Sequence, residues 1–150
     1  MIAKLALVFK QGRQRFQEMI APDEKPPRIA PSLKSAPRVR QLYWCEFPKD
    51  AHLPEFWKTR PVLVISFRNA LYGAVTVVPC TTQAQPDNKW AVKLSVSIEE
   101  DTASWAICDK PTTVAVSRLK NHRRDIKRLT EAEFNPVLAK VLAWLPKPPA

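Results

Sequence analysis

The sequence predicts a mainly β protein: a small, strongly bent antiparallel sheet closed by one helix near the C-terminus. Two observations lead there. Short apolar, β-branched runs recur between residues 39 and 116, each too brief for a helix and bounded by turn formers. A single later stretch, Thr130–Leu145, instead carries its apolar residues at helical spacing. Strands in succession followed by one helix bury their apolar surfaces best as a bent sheet covered by that helix.

The N-terminal residues 1–21 place Ile2, Leu5, Ala6, Phe9, Phe16 and Ile20 at helical spacing, with Lys4, Lys10, Arg13 and Arg15 elsewhere on the wheel. Such a basic amphipathic helix lies on a membrane or nucleic acid, packs on its own domain, or hangs as a loose extension. Lys4 interrupts the apolar start and no small-residue cleavage site follows, which argues against a signal peptide. Residues 22–38 then hold Pro22, Pro26, Pro27, Pro31 and Pro37. Proline fixes φ and removes a donor, so this stretch reads as an extended linker. The folded domain is expected over residues 39–146, leaving 147–150 as a tail.

Six strands are expected: Val39–Phe47, 60–67, 74–82, Trp90–Ser97, Ser104–Cys108 and Thr113–Val116. The second is apolar on successive residues, the pattern of a strand buried on both faces, so it belongs in the centre of the sheet. Between the second and third lies Phe67–Gly73, whose Asn69 and Gly73 suit positive φ in a hairpin loop. If the loop centres near Ala70, Arg60 falls opposite Thr81, give or take a bulge. Glu99–Thr102 reads as a solvated acidic turn. In the C-terminal helix Phe134, Leu138, Val141, Leu142 and Leu145 form the apolar stripe. Thr130 and Glu133 fit a capping box, but Pro136 conflicts with that start. With Asn135 as an alternative N-cap, a kinked or two-part helix is the expectation.

At 150 residues the chain holds one domain with a sizeable core. No apolar run reaches membrane-spanning length, so no membrane segment is expected. A net charge of +10 favours an anionic partner, nucleic acid or an acidic protein segment. Cys45, Cys80 and Cys108 are odd in number, widely spaced and set in apolar strand patterns. They read as buried free thiols of a cytoplasmic protein, neither a zinc site nor a disulfide framework.

The chemistry-bearing residues collect at strand ends. Arg60 opens the second strand, Thr81 and Thr82 end the third, and Asp109-Lys110 follow the fifth. A guanidinium, hydroxyls and a carboxylate so placed can bind a phosphodiester and move a proton, which makes RNA cleavage the reading to test. Singly, each has a plainer use: a surface ion pair for Arg60, β propensity for Thr81, turn formation for Asp109. Trp57 is a candidate base-stacking platform, whereas Trp105 reads as core. The run Lys120–Arg128 either steers RNA or is a solvated basic loop.

Four segments in order, Leu42–Phe47, Arg60–Val64, Val78–Thr82 and Ile107–Val114, resemble the PemK/MazF family of toxins from type II toxin–antitoxin systems. Arg118-Leu119 and the 130–145 helix occupy that family's tail. The resemblance spans residues 39–146. It implies an SH3-like barrel of the PemK/MazF/CcdB type, a homodimer, and a cognate antitoxin whose acidic or apolar segment covers the RNA groove.

The resemblance also implies endoribonuclease activity on single-stranded RNA with no metal or other cofactor, leaving 2′,3′-cyclic phosphate and 5′-hydroxyl ends. It assigns Arg60, Thr81 and Asp109 to catalysis, with Asp109 as the base. Thr82, His52, Trp57, Lys58 and Lys110 are the matching candidates for RNA binding. Ile107 and Thr112 stand where the family often carries arginines, and the loop Ala51–Thr59 replaces a glycine-rich one. The general acid is therefore open among His52, Lys58 and Lys110, imidazole being the side chain that titrates nearest neutrality. Two competing readings use the same barrel: a non-catalytic poison of a protein such as DNA gyrase, and an RNA-binding module with lapsed catalysis.

Overall fold

The structure, a computed structural model, describes residues 24–99, 102–121 and 125–150. The expected helix over 1–21, the centre of the acidic turn (Glu100, Asp101) and part of the basic run (His122–Arg124) lie outside those residues.

Among the described residues, seven strands and one α-helix follow in chain order: β1 Leu42–Cys45, β2 Arg60–Val64, β3 Ala74–Thr81, β4 Ala91–Leu94, β5 Ser104–Ile107, β6 Thr112–Ala115, β7 Leu119–Lys120 and α1 Glu131–Trp144. All strand pairs are antiparallel, in the order β4-β5-β3-β2-β1-β7 with β6 also paired to β3. The sheet is thus mainly antiparallel with one C-terminal helix, as the residue patterning predicts, and β2 sits inside it.

β3 explains the bend. Along one edge it pairs with β2 through Val62↔Pro79, Leu63↔Val78 and Val64↔Val77. Along the other it pairs with β6 up to Val77↔Thr112, then with β5 from Cys80↔Ala106. Pro79, which has no N–H to donate, falls in the gap between those two partners. The register equals the one the hairpin loop implies, and two residues further it sets Arg60 across from Thr81.

Alternation along β2 feeds two cores. Leu63 joins Leu42, Val78, Cys80, Ala106 and Cys108 on the helix side, with Phe134, Val137 and Val141 of α1. Val62 and Val64 face the other side, with Tyr43, Cys45, Phe47, Val77, Val114 and Leu119. Trp105, expected in the core, is half-buried and belongs to neither.

Several local expectations change. The chain is ordered onto the sheet well before Val39: Leu33 is only 6% exposed and Pro37 is fully buried. Ser32 Oγ donates to Leu119 O at 3.3 Å and Asn69 Nδ2 to Pro37 O at 3.0 Å. A proline-rich segment already extended loses little further entropy when it lies down. In the hairpin loop the positive φ falls on Arg68, at 53°, and on neither Asn69 nor Gly73. Asn69 works through its side chain instead, accepting from Ser66 Oγ at 2.6 Å. Gly73 is needed for closeness, since a Cβ there would stand 3.3 Å from Ala70 O.

α1 is one helix, not two. Thr130 and Glu133 complete the capping box, and Phe134 N donates to Thr130 O at 3.0 Å. Pro136 cannot bond to Ala132, but both residues are exposed, so water can satisfy the freed carbonyl. The buried face is Phe134, Val137 and Val141, whereas Leu142 (57% exposed) and Leu145 (47%) face outward. Trp144 packs edge-on to Trp90 at 5.2 Å and ties the helix end to the start of β4. Among the described residues, no helix is long and apolar enough to cross a membrane.

Leu33→Ala should lower unfolding stability by about 2–5 kcal/mol, the cost of deleting a buried aliphatic side chain. Chemical denaturation followed by tryptophan fluorescence measures it. A change below about 0.5 kcal/mol, typical of a surface position, would show that residues 24–37 are only a linker.

Candidate active site

Arg60 begins β2 because Pro61 ends the irregular 48–59 loop and favours extended backbone before it. The β1 register pairs Arg60 with Cys45. Its guanidinium lies over the ring of Phe56, 5.0 Å from the centroid, and Phe56 in turn packs 5.8 Å from Phe47. This cation–π contact holds the charge at the sheet edge, and burial makes such contacts stronger. The Nε of Arg60 is buried and has no hydrogen-bond partner.

Thr81 ends β3 opposite Trp105, and its Oγ1 accepts from Gln83 N at 3.2 Å. The hydroxyl proton is thereby left free for another acceptor. Thr82 is exposed one residue further.

Asp109 lies in the turn between β5 and β6, closed by Lys110 N donating to Ile107 O at 3.2 Å. That turn fills the gap beside Val78-Pro79 where β3 changes partners. Asp109 is 18% exposed in its side chain, and its Oδ2 meets Lys110 Nζ at 3.9 Å. Its Oδ1 is buried with no partner. A donor on Arg60 and an acceptor on Asp109 are therefore both buried and unspent, which is unusual enough to need an explanation. Among the described residues, no hydrogen bond or ion pair joins Arg60, Thr81 and Asp109 to one another.

A cleft of about 610 Å³ opens between the 48–56 loop and β6, lined by Phe56, Lys110, Thr112 and Arg118 among others. Neither Arg60 nor Asp109 lines it, but Arg60 packs on Phe56 and Asp109 pairs with Lys110, and both of those residues do. Ile107, at a position where the resemblance leads one to look for arginine, is buried at 6% exposure and does not line this cleft. Thr112 lines the cleft in place of the second.

A neighbouring hollow of about 680 Å³ is lined by Glu46, Asp50, Trp57, Thr59 and Arg118. Trp57 is 48% exposed, and Lys58 Nζ lies over its ring at 4.8 Å. His52 is exposed on the same loop, its backbone N donating to Glu55 Oε2 at 2.8 Å. Arg118 lines both hollows and was not a candidate in the sequence. Only the pairing of β7 with β1 carries it next to Glu46, a contact between residues 72 positions apart. Its basic side chain between two strand patterns was the one available signal.

The three thiols take no part in this chemistry. Burial pushes Cys45 and Cys80 up from 9.0 to about 12, and Cys108 to about 11. They stay protonated at neutral pH, and a protonated thiol is a poor nucleophile. Among the described residues, no group of three His, Cys, Asp or Glu side chains is placed to hold a metal ion.

The comparisons with known proteins agree with this architecture. The sequence profile of the PemK-like, MazF-like toxins of type II toxin–antitoxin systems matches residues 38–145. An endoribonuclease from a mycobacterial species superimposes with a TM-score of 0.54 at 23% identity, over 75% of this chain and 96% of that one. A mycobacterial endoribonuclease in complex with its cognate antitoxin gives 0.53 at 22%, over 75% and 100%. MazE–MazF from Deinococcus radiodurans gives 0.52 at 19%, over 72% and 93%. No curated protein sequence matches the chain. The fold is that of the MazF-like toxins. The chain belongs to the PemK-like, MazF-like family of toxins of type II toxin–antitoxin systems.

The raised thiol values set a pH dependence. Below about pH 9 folded and unfolded chains both keep these protons, and the thiols cost the fold nothing. Between about 9 and 12 the unfolded chain releases them while the folded chain holds them, so stability falls as pH rises through that window. Denaturation midpoints at pH 7, 9 and 10.5 should decline slightly over the first interval and steeply over the last. A native protein alkylated quickly at all three cysteines at pH 8 would contradict the burial.

Proposed function

We propose that this toxin is an endoribonuclease that cleaves single-stranded RNA with side-chain groups alone. The observation that carries the reading is the pair of buried, unspent groups, Arg60 Nε and Asp109 Oδ1, each in contact with a residue that lines one cleft, Phe56 beneath Arg60 and Lys110 beside Asp109. Their backbones reach β3 from opposite sides, Arg60 at the start of β2 and Asp109 in the turn after β5. Family membership supports the reading, as do the mycobacterial endoribonucleases that share the fold.

In this scheme Asp109 takes the proton of the ribose 2′-hydroxyl, whose oxygen attacks the adjacent phosphorus. Arg60 and the Thr81 hydroxyl donate to the phosphoryl oxygens as charge builds on them. The bond from phosphorus to O5′ breaks, giving a 2′,3′-cyclic phosphate and a 5′-hydroxyl. Of the candidate acids, Lys110 is the one that lines the cleft and pairs with Asp109, which supports assigning it the proton for O5′. Thr82 and Lys58 carry positive or donor groups along the backbone path, and His52 lies exposed on the loop above it. The protein acts in the cytoplasm as a homodimer. Its partner is an antitoxin segment that is acidic, matching the net charge of +10, or apolar. A mycobacterial endoribonuclease of the same fold in complex with its cognate antitoxin supports an antitoxin as the partner.

Ile107 favours a second reading, RNA binding without cleavage, because its buried side chain removes one cation from the expected set.

Purified protein should cleave single-stranded RNA in excess EDTA and leave 2′,3′-cyclic phosphate ends. Arg60→Ala should slow this roughly 100- to 1,000-fold, as loss of one preorganised donor does. Cleavage that EDTA abolishes but Arg60→Ala retains would overturn the scheme. Salt-dependent binding with no product would select the non-catalytic reading.

A further inference from the structure

The hollow beside the cleft has chemistry that phosphate binding does not use. We infer that it reads one base of the substrate RNA, and that the base is guanine. This deepens the RNA-cleavage reading and rests on it.

Its size, about 680 Å³, falls within the roughly 300–1,000 Å³ span of small-molecule sites. Besides Phe47, Pro48 and the ammonium of Lys49, three kinds of group line it. Trp57 offers an exposed indole; Lys58 lies over one face, so a base stacks on the other and its phosphate meets that ammonium. Glu46 and Asp50 bring carboxylates, which only accept hydrogen bonds. Arg118 brings a guanidinium, which only donates.

Glu46 and Arg118 are held side by side by two bonds. Glu46 N donates to Arg118 O at 3.0 Å, and Arg118 Nη1 donates to Glu46 O at 3.1 Å. Both bonds use main-chain atoms of Glu46, so its carboxylate stays unspent. Among the described residues, neither Glu46 nor Asp50 forms an ion pair with Arg118 or any other cation. An acceptor pair and a donor fork thus stand next to each other without neutralising each other.

Guanine is the RNA base that matches both. Its N1–H and N2–H lie side by side and fit the two oxygens of one carboxylate. Its O6 and N7 accept from an arginine fork. Adenine and cytosine present a ring-nitrogen acceptor beside their amino group, which a carboxylate repels. Uracil flanks its one N–H with carbonyls, with the same result. Thr59 completes the rim with a hydroxyl that both donates and accepts.

The test uses the full chain as Arg60→Ala, titrated with guanosine, inosine, adenosine, cytidine and uridine 5′-monophosphates by calorimetry. Guanosine monophosphate should bind roughly 5- to 150-fold tighter than the adenosine or cytidine compound, the worth of one bidentate base contact. Inosine monophosphate, lacking the 2-amino group, should fall between. Trp57→Ala should weaken the guanosine compound by a similar factor. Glu46→Gln with Asp50→Asn should erase the difference between guanosine and inosine. Equal binding of all five, or a guanosine preference untouched by these substitutions, overturns the inference. In parallel, cut sites of the wild-type chain on a random RNA pool should show guanine enriched at one fixed position. Cleavage without that enrichment removes the base pocket and leaves the nuclease. Selective guanosine binding without cleavage supports the pocket and removes the nuclease.

Discussion

One strand with two sets of neighbours organises this protein. β3 runs beside β2 along one edge, while its other edge is shared between β6 and β5. A strand can change partners only where its own backbone gives up the ladder, and Pro79 does so at the point of exchange. The vacated edge takes the β5–β6 turn, and that turn carries Asp109. Arg60 enters from the opposite edge at the start of β2. These two residues are therefore presented from opposite edges of the most heavily paired element of the sheet.

The cores on the two faces of β2 make that arrangement stiff. Helix α1 seals one with Phe134, Val137 and Val141. The other is closed partly by Leu33, from the proline-rich stretch, so a segment outside the sheet helps fix the face on which Arg60 and Phe56 meet. Rigid support matters because a buried donor such as Arg60 Nε and a buried acceptor such as Asp109 Oδ1, each without a hydrogen-bond partner, are costly. Only a well-packed frame keeps them from relaxing into other contacts.

Charge is divided in a useful way. Most of the net +10 is solvated surface, suited to attracting an anion from a distance. Few of these cations are tied down: among the described residues, Lys110 with Asp109 is the one ion pair. Arg60, Lys58 and Arg118 are instead placed against aromatic rings or main-chain oxygens, contacts that orient a cation and leave its charge available.

The sequence by itself determined the local facts. Alternation and β-branching marked six of the strands, the loop around Ala70 set the Arg60–Thr81 register, and Thr130 with Glu133 placed the helix start. These depend on neighbours a few residues away, where periodicity and turn chemistry act. It left Pro136 open between a kinked and a two-part helix, because whether an orphaned carbonyl is tolerable within one helix depends on its exposure. It misjudged the face of α1 by one position of the wheel, since only packing decides which flank is covered. β7, the docking of Leu33 and the meeting of Arg118 with Glu46 were decided by tertiary structure alone. Each joins residues far apart in the chain, and no local pattern records where the sheet will bend.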